Sequence, residues 1–310
     1  MTLPIAQRSE IGERPEPVNS AFRTVARRSL LVLCSIALTS VLIGAQVPPR
    51  VLAADVFGAM RAPGEPAFTV GHRGDRASAP ENTMVSLELA MDRLAYVETD
   101  VRLTSDGVPV LFHDVTLERV AGVAKRVEDL TFAELSTIDV GSWYGEEFAG
   151  ERVPTLDAFL AALAERPDAR ALVELKADWT PAGVRKIVGL IERHNLRSRI
   201  ILESFSIESL LAIKAASPTT PRIMLTRELP DDPLPLVERF GVIGFGTTAA
   251  SVRRAKVAVE RLHAAGVSVL CYTLNSQEDW AKVSALGVDG IITDEPSDLD
   301  AWLAATAPGT

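Results

Sequence analysis

Phe68-Thr69-Val70-Gly71-His72-Arg73-Gly74 is followed by apolar residues at helical spacing from Val85 to Leu94, and then by Tyr96-Val97-Glu98-Thr99-Asp100-Val101-Arg102-Leu103. Together they make one strand-helix-strand unit, the repeat from which parallel α/β folds are built. Six more short apolar runs follow: 171–175, 200–204, 222–226, 242–246, 267–273 and 290–293. Between them, Pro181 to His194, Ile207 to Ala216 and Ser251 to Ala265 place apolar residues at helical spacing. Eight strand-helix repeats over roughly 240 residues favour a closed α/β barrel, the TIM (β/α)8 architecture, over an open doubly wound sheet. No glycine-rich dinucleotide fingerprint follows the first run.

One segment interrupts the alternation. Asp106-Gly107 is a turn signal and Val108 to Phe112 a further strand, so a hairpin ending at His113 is expected after the second barrel strand. The segment from Val115 to Pro154, carrying Trp143, Tyr144 and Phe148, is then an insertion over the barrel mouth, before a helix starting near Thr155.

Outward from this core, residues 1–28 are polar and lack apolar periodicity, which predicts a flexible tail. Residues 29–47 form an uncharged apolar run preceded by Arg23, Arg27 and Arg28, with the length and flank of a signal-peptide core or a short membrane anchor. Either way the remainder is expected to be exported, and to be secreted or held at the membrane by this segment if it is not cleaved. Residues 48–66, with Pro48, Pro49, Pro63, Gly64 and Pro66, are expected as a linker, and 67–305 as the barrel domain.

Composition narrows the partners. With a formal charge of -9 the chain lacks the basic surface that nucleic acid requires, although a single phosphate group stays within reach. Cys34 lies in the apolar run and Cys271 in a core strand, with no CxxC or zinc spacing between them.

The chemistry concentrates at predicted strand ends. His72 and Arg73 close the first strand, and His113 closes the hairpin. Glu98 and Asp100, two apart on the second strand, point to one face, and Glu174 and Lys176 repeat that spacing on the next. Three adjacent carboxylates repel unless a positive charge lies between them, and a divalent cation with a taste for oxygen, Ca2+ or Mg2+, answers that need. The alternative is a set of rim charges paired with Arg73, Lys176 and Arg102. With Arg73 and Lys176 included, the cluster carries about -1 without the ion and about +1 with it, so a phosphodiester is attracted only in the second case. Two histidines beside such a cluster suit proton exchange with a nucleophile and a leaving alkoxide. His194 and His263, near helix C-termini, are expected to be structural.

Taken in order, Gly71-His72-Arg73-Gly74, Ala79-Pro80-Glu81-Asn82-Thr83, Glu98 to Gly107, Val110-Leu111-Phe112-His113-Asp114, Gly141-Ser142-Trp143, Val153-Pro154-Thr155-Leu156, Glu174-Leu175-Lys176, Tyr272-Thr273-Leu274-Asn275 and Gly290 to Pro296 resemble the glycerophosphodiester phosphodiesterase family. The resemblance runs from Ala67 to about Leu303. It implies a barrel of the phospholipase C-like superfamily and metal-dependent hydrolysis of small glycerophosphodiesters to glycerol 3-phosphate and an alcohol. Carried over by position, His72 and His113 match the acid/base pair, Glu98, Asp100 and Glu174 the metal ligands, and Arg73, Lys176 and Tyr272 the substrate contacts. Glu81 and Asn82 would stand behind them. Tyr272 replaces a frequent tryptophan, and Asp75-Arg76 replaces residues that are commonly small. The alternatives are a lysophospholipase D-like or phospholipase C-like activity on membrane lipid, and a noncatalytic envelope binding protein.

Overall fold

The computed structural model describes residues 51–306. The tail expected at 1–28 and the apolar segment at 29–47 lie outside them. Among the described residues no helix is long and apolar enough to cross a membrane.

The strands are β1 (Phe68–Gly71), β2 (Tyr96–Leu103), β3 (Pro109–Leu111), β4 (Thr116–Leu117), β5 (Val123–Arg126), β6 (Arg170–Leu175), β7 (Ile200–Ser204), β8 (Arg222–Leu225), β9 (Gly244–Thr247), β10 (Ser268–Cys271) and β11 (Gly290–Thr293). Eight of them, in the order β1-β11-β10-β9-β8-β7-β6-β2, pair in parallel, and β2 closes on β1 through Val70↔Tyr96 and Gly71↔Val97. The closed barrel expected from the alternation is the architecture found. Along each strand the side chains alternate. Val70, Leu172, Ile201 and Ile292 fill the interior, while Val97, Val101, Val173 and Leu202 pack outward against the helices. A sheet covered in this way buries both faces, which explains why its strands are apolar almost throughout.

The helices follow from local chemistry. In Pro181–Arg193, Thr180 caps by accepting from the Gly183 N–H, Pro181 pre-sets the first turn, and Val184, Ile187, Val188 and Ile191 form the buried stripe. Thr83 and Thr155 cap Met84–Met91 and Leu156–Ala164 in the same way. The single helix expected over 251–265 is two, Ala249–Arg254 and Lys256–Ala264, because Ala255 leaves helical geometry at φ -106°, ψ 39°. Apolar periodicity continues through such a break, so the pattern alone conceals it.

The hairpin after β2 is present, with Val101↔Leu111 and Leu103↔Pro109 in antiparallel register. Beyond it, the insertion has a small core of its own that includes Phe112, Leu117, Val127 and Leu135. Asp139 fastens the far end of the insertion by accepting from the backbone N–H groups of Gly141, Ser142 and Gly150 at 2.9, 2.8 and 2.6 Å.

The expected linker is partly structural. Residues 53–57 form a short helix whose Ala53, Val56 and Phe57 are buried against the barrel interior. Phe57 stacks on Phe68 at 5.1 Å, and the Tyr96 hydroxyl donates to the Val56 carbonyl at 2.9 Å. The Arg61 N–H then donates to Asp289. Proline and glycine punctuation signalled a linker here, but an apolar i, i+3, i+4 triplet suffices to dock one turn and a half.

Candidate active site

Every barrel strand ends on the same side, so residues far apart in the chain converge there. The first to do so are His72 and Arg73. Arg73 has φ +55°, a conformation costly for a side-chain-bearing residue, and the loop is arranged to hold it. Its N–H donates to Glu98 Oε2 at 2.9 Å, while its carbonyl accepts from the Asn82 N–H and from Ser86 Oγ. Gly74 follows at φ +97°, where a Cβ would stand 2.6 Å from the Ser86 carbonyl oxygen, so only glycine lets the loop close onto the helix.

The inward face of β2 presents Glu98 and Asp100, and register pairs Asp100 with Glu174 on β6. Oxygens of Glu98, Asp100 and Glu174 lie within 4.8 Å of one another, and all three residues are buried. Lys176 Nζ reaches Asp100 at 2.8 Å and Glu174 at 2.7 Å, and Arg73 Nε lies 3.2 Å from Asp100 Oδ2. Burial raises the proton affinity of all three acids. In Asp100 the charges of Lys176, Arg73 and His113 outweigh it and hold the carboxyl far below its usual range. In Glu98 the charge of Arg73 is outweighed, and burial with the charge of Asp100 drives it well up. Burial and Asp100 push Glu174 up to about 7. Burial and mutual repulsion thus push two of the three carboxyls toward the neutral form despite Lys176 and Arg73. The all-oxygen donor set fits a hard divalent cation. Arg102 does not belong to this cluster: it donates to the His113 carbonyl and pairs with Glu128.

Asn82 and Glu81 stand behind the cluster. Asn82 Nδ2 donates to Asp100 Oδ2 at 2.8 Å, while its Oδ1 accepts from Thr99 Oγ1 at 2.7 Å, which fixes the carboxylate's orientation. Glu81 accepts from Arg73, Arg76 and Arg119. Burial alone would raise it, but these guanidinium groups hold it below its usual range.

Each site histidine has an aspartate partner. His72 Nδ1 lies 2.7 Å from Asp294 Oδ1, and His113 Nδ1 lies 2.6 Å from Asp114 Oδ1. With the carboxylate accepting at Nδ1, each imidazole carries its proton there and turns Nε2 toward the site. Arg76 and Asn275 hold Asp294, and Arg119 holds Asp114. Since Arg76 and Arg119 both also grip Glu81, one buried carboxylate anchors the two pairs. Burial lowers both imidazoles below their ordinary value, partly offset by Asp294 for His72 and by Asp100 for His113.

The sequence reading gave no role to Asp294, Asp114, Arg76, Arg119 or Asn275, and it missed Glu203. The last was detectable, since a charged residue near the end of the apolar run 200–204 repeats the pattern of Glu174. Asp294 lies 222 positions from His72, a pairing that no local pattern carries. Tyr272 borders the cavity, its hydroxyl donating to the Thr226 carbonyl at 2.9 Å. His194 and His263 lie away from the site, paired with Asp157 and Asp289.

Two spaces meet at this cluster. An inner, half-open cavity of about 190 Å³ is bordered by His72, Arg73, Glu98, Glu203, Leu225 and Tyr272, among others. A wider groove of about 720 Å³ leads outward past Arg102, Asp114, Val115 and Arg119. His113, Glu174, Lys176 and Phe205 border both.

The sequence model of the Glycerophosphoryl diester phosphodiesterase family matches residues 72–298. The chain is 32% identical over 235 residues to a glycerophosphodiester phosphodiesterase of Caldanaerobacter subterraneus, covering 75% of this chain and 96% of that one. Among solved structures, a phosphodiesterase of Oleispira antarctica in complex with the product sn-glycerol-3-phosphate aligns with TM-score 0.69 and 28% identity, over 77% of this chain and 97% of that one. A glycerophosphodiester phosphodiesterase of Agrobacterium tumefaciens aligns with TM-score 0.67 and 29% identity, over 77% and 99% of the two chains.

Proposed function

The chain belongs to the glycerophosphodiester phosphodiesterase family and is a phosphodiesterase, and from that premise we propose how it works: Glu98, Asp100 and Glu174 hold one divalent cation, Ca2+ or Mg2+, while His72 and His113 exchange protons. The substrate is a small glycerophosphodiester and the products are glycerol 3-phosphate and an alcohol. The observation that carries this reading is the placement of two His-Asp pairs beside a buried cluster of three carboxylates at the junction of cavity and groove.

When bound, the cation supplies the positive charge that a phosphodiester needs as charge builds up on its oxygens. Arg73 and Lys176 add fixed positive charge beside the cluster, one at each oxygen of Asp100. Each histidine keeps Nε2 free because its aspartate occupies Nδ1, and the aspartate's charge stabilises the imidazolium that forms when Nε2 takes a proton. One imidazole takes the proton of the attacking hydroxyl at its Nε2, and the other, entering as the imidazolium that its aspartate stabilises, gives its Nε2 proton to the departing alkoxide. The attacker is water or the substrate's own glycerol 2-hydroxyl, which enjoys intramolecular proximity. A 2-deoxy analogue separates them, since its unimpaired cleavage excludes the second route.

The test is release of glycerol 3-phosphate from glycerophosphocholine. His72→Ala and His113→Ala should each lower kcat by about 10²–10⁴-fold. Turnover within a few-fold of wild type in both would sink the acid/base assignment.

The groove supports a second reading, hydrolysis of lysolipids. Val115 and Phe205 border it and are 43% and 45% exposed, which suits an apolar chain leaving from the site. Comparing glycerophosphocholine with lysophosphatidylcholine vesicles decides between the two substrates. The apolar run at 29–47 supports an exported enzyme, secreted or anchored at the membrane.

A further inference from the structure

Glu203 has no part in the chemistry described so far, yet it stands inside the barrel. It is the register partner of Glu174 on the neighbouring strand, and it borders the inner cavity. It is 2% exposed, and its Oε2 is buried without a hydrogen-bond partner. A carboxyl in that condition destabilises the fold unless something satisfies it, and ordinarily it would have been replaced by an apolar residue. It lies outside the three-carboxylate cluster whose oxygens fall within 4.8 Å of one another.

Its surroundings define what could satisfy it. Leu225 and Ile292 border the same cavity as apolar walls, and Tyr272 shows its ring while its hydroxyl is committed to Thr226. Phe205 packs edge-on against Tyr272 at 5.7 Å. The space is therefore apolar on several sides, with the unpartnered Glu203 oxygen beside its wall. A short carbon chain bearing hydroxyls, continuous with a phosphate at the junction, matches that pattern: carbons against Leu225, Ile292 and the tyrosine ring, a hydroxyl against the carboxyl.

We propose that Glu203 is a specificity-determining residue that binds a hydroxyl of the substrate's glycerol moiety in the inner cavity, leaving the outer groove to the departing alcohol. This rests on the reading of the substrate as a glycerophosphodiester. A carboxyl oxygen accepts from a hydroxyl, and a carboxamide in its place can do the same.

The experiment compares Glu203→Gln and Glu203→Leu with wild type on two substrates, glycerophosphoethanolamine and the glycerol-free diester bis(4-nitrophenyl) phosphate, alongside calorimetric titration with Mn2+ and a melting curve. The ratio of kcat/KM for the first substrate to that for the second should fall about 10–100-fold in Glu203→Leu, because the hydroxyl is then left unpaired in an apolar pocket. Glu203→Gln, which still donates and accepts, should keep the ratio within about fivefold of wild type. Cation affinity should be the same in all three proteins. An unchanged ratio in Glu203→Leu overturns the assignment, as does equal loss on both substrates. Weakened Mn2+ binding in either variant would make Glu203 a cation ligand instead. If wild type cleaves only the glycerol-free diester, the substrate reading itself fails and the assignment falls with it.

Discussion

Asp294 illustrates what a single residue does here. It accepts from His72 Nδ1, from Arg76 and from Asn275, so one carboxylate sets the imidazole's tautomer while the other two groups fix the carboxylate. Replacing it by asparagine removes the charge and keeps the shape. The Asp294 charge raises the proton affinity of His72 against the lowering effect of burial. Without it the imidazolium is less stable, so in Asp294→Asn the limb of the pH-rate profile that reports His72 should move to lower pH. The value of kcat should drop by about 10–10⁴-fold, the range between a lost positioning bond and a wrong tautomer. A profile superimposable on wild type would show that the pair is only structural. At this scale the sequence was informative where a charged residue ends an otherwise apolar strand, as with His72, Glu98, Asp100 and Glu174. It was silent on Asp294, Arg76 and Arg119, whose meaning depends on neighbours that only the closed barrel supplies. Glu203 carried the same strand-end signal as Glu174 and stands at the same level one strand further round.

Among the elements, the insertion after the second strand contributes His113, Asp114 and Arg119, and so it is part of the site as well as its cover. Its distal loop hangs on Asp139, whose carboxyl is held below its usual range by the N–H groups of Ser142, Gly150 and Gly141. A depressed carboxylate stabilises above its unfolded pKa of about 3.9 and loses that contribution as the pH falls below it. The loop around Trp143, whose Nε1 donates to the Val140 carbonyl, should therefore open only on acidification well below about pH 4, as the folded carboxyl itself takes up its proton. Trp143 fluorescence, taken as the difference from Trp143→Phe, should report this opening, and Asp139→Ala should show the open signal already at neutral pH. No difference between Asp139→Ala and wild type at neutral pH would mean that other contacts hold the loop. The strands were readable from sequence because a sheet buried on both faces demands uninterrupted apolar runs. The break at Ala255 was not, since both halves of the helix keep their apolar faces inward and neither proline nor glycine marks the join.

For the molecule as a whole, the barrel has chemistry at one end and a closure at the other. The turn of helix at 53–57 seals the second end, with Phe57 buried against Phe68 and Tyr96. Phe57→Ala should cost about 3 kcal/mol in urea unfolding, the low end for a buried aromatic because the helix is short and peripheral. A loss within experimental error would return this segment to the status of a linker. A protein beginning at Ala67 should be destabilised for the same reason, so activity measurements belong on one that retains residues from Val51. At the catalytic end, the account depends on a positive charge that Arg73 and Lys176 do not fully provide. The most direct measurement is glycerol 3-phosphate release from glycerophosphocholine by the full chain, before and after chelation and after return of Ca2+ or Mg2+. Turnover should fall to background on chelation, recover with one of the two ions, and fail to recover in Asp100→Asn. Turnover that persists undiminished in excess chelator would contradict the assignment of Glu98, Asp100 and Glu174 as ligands of a catalytic cation.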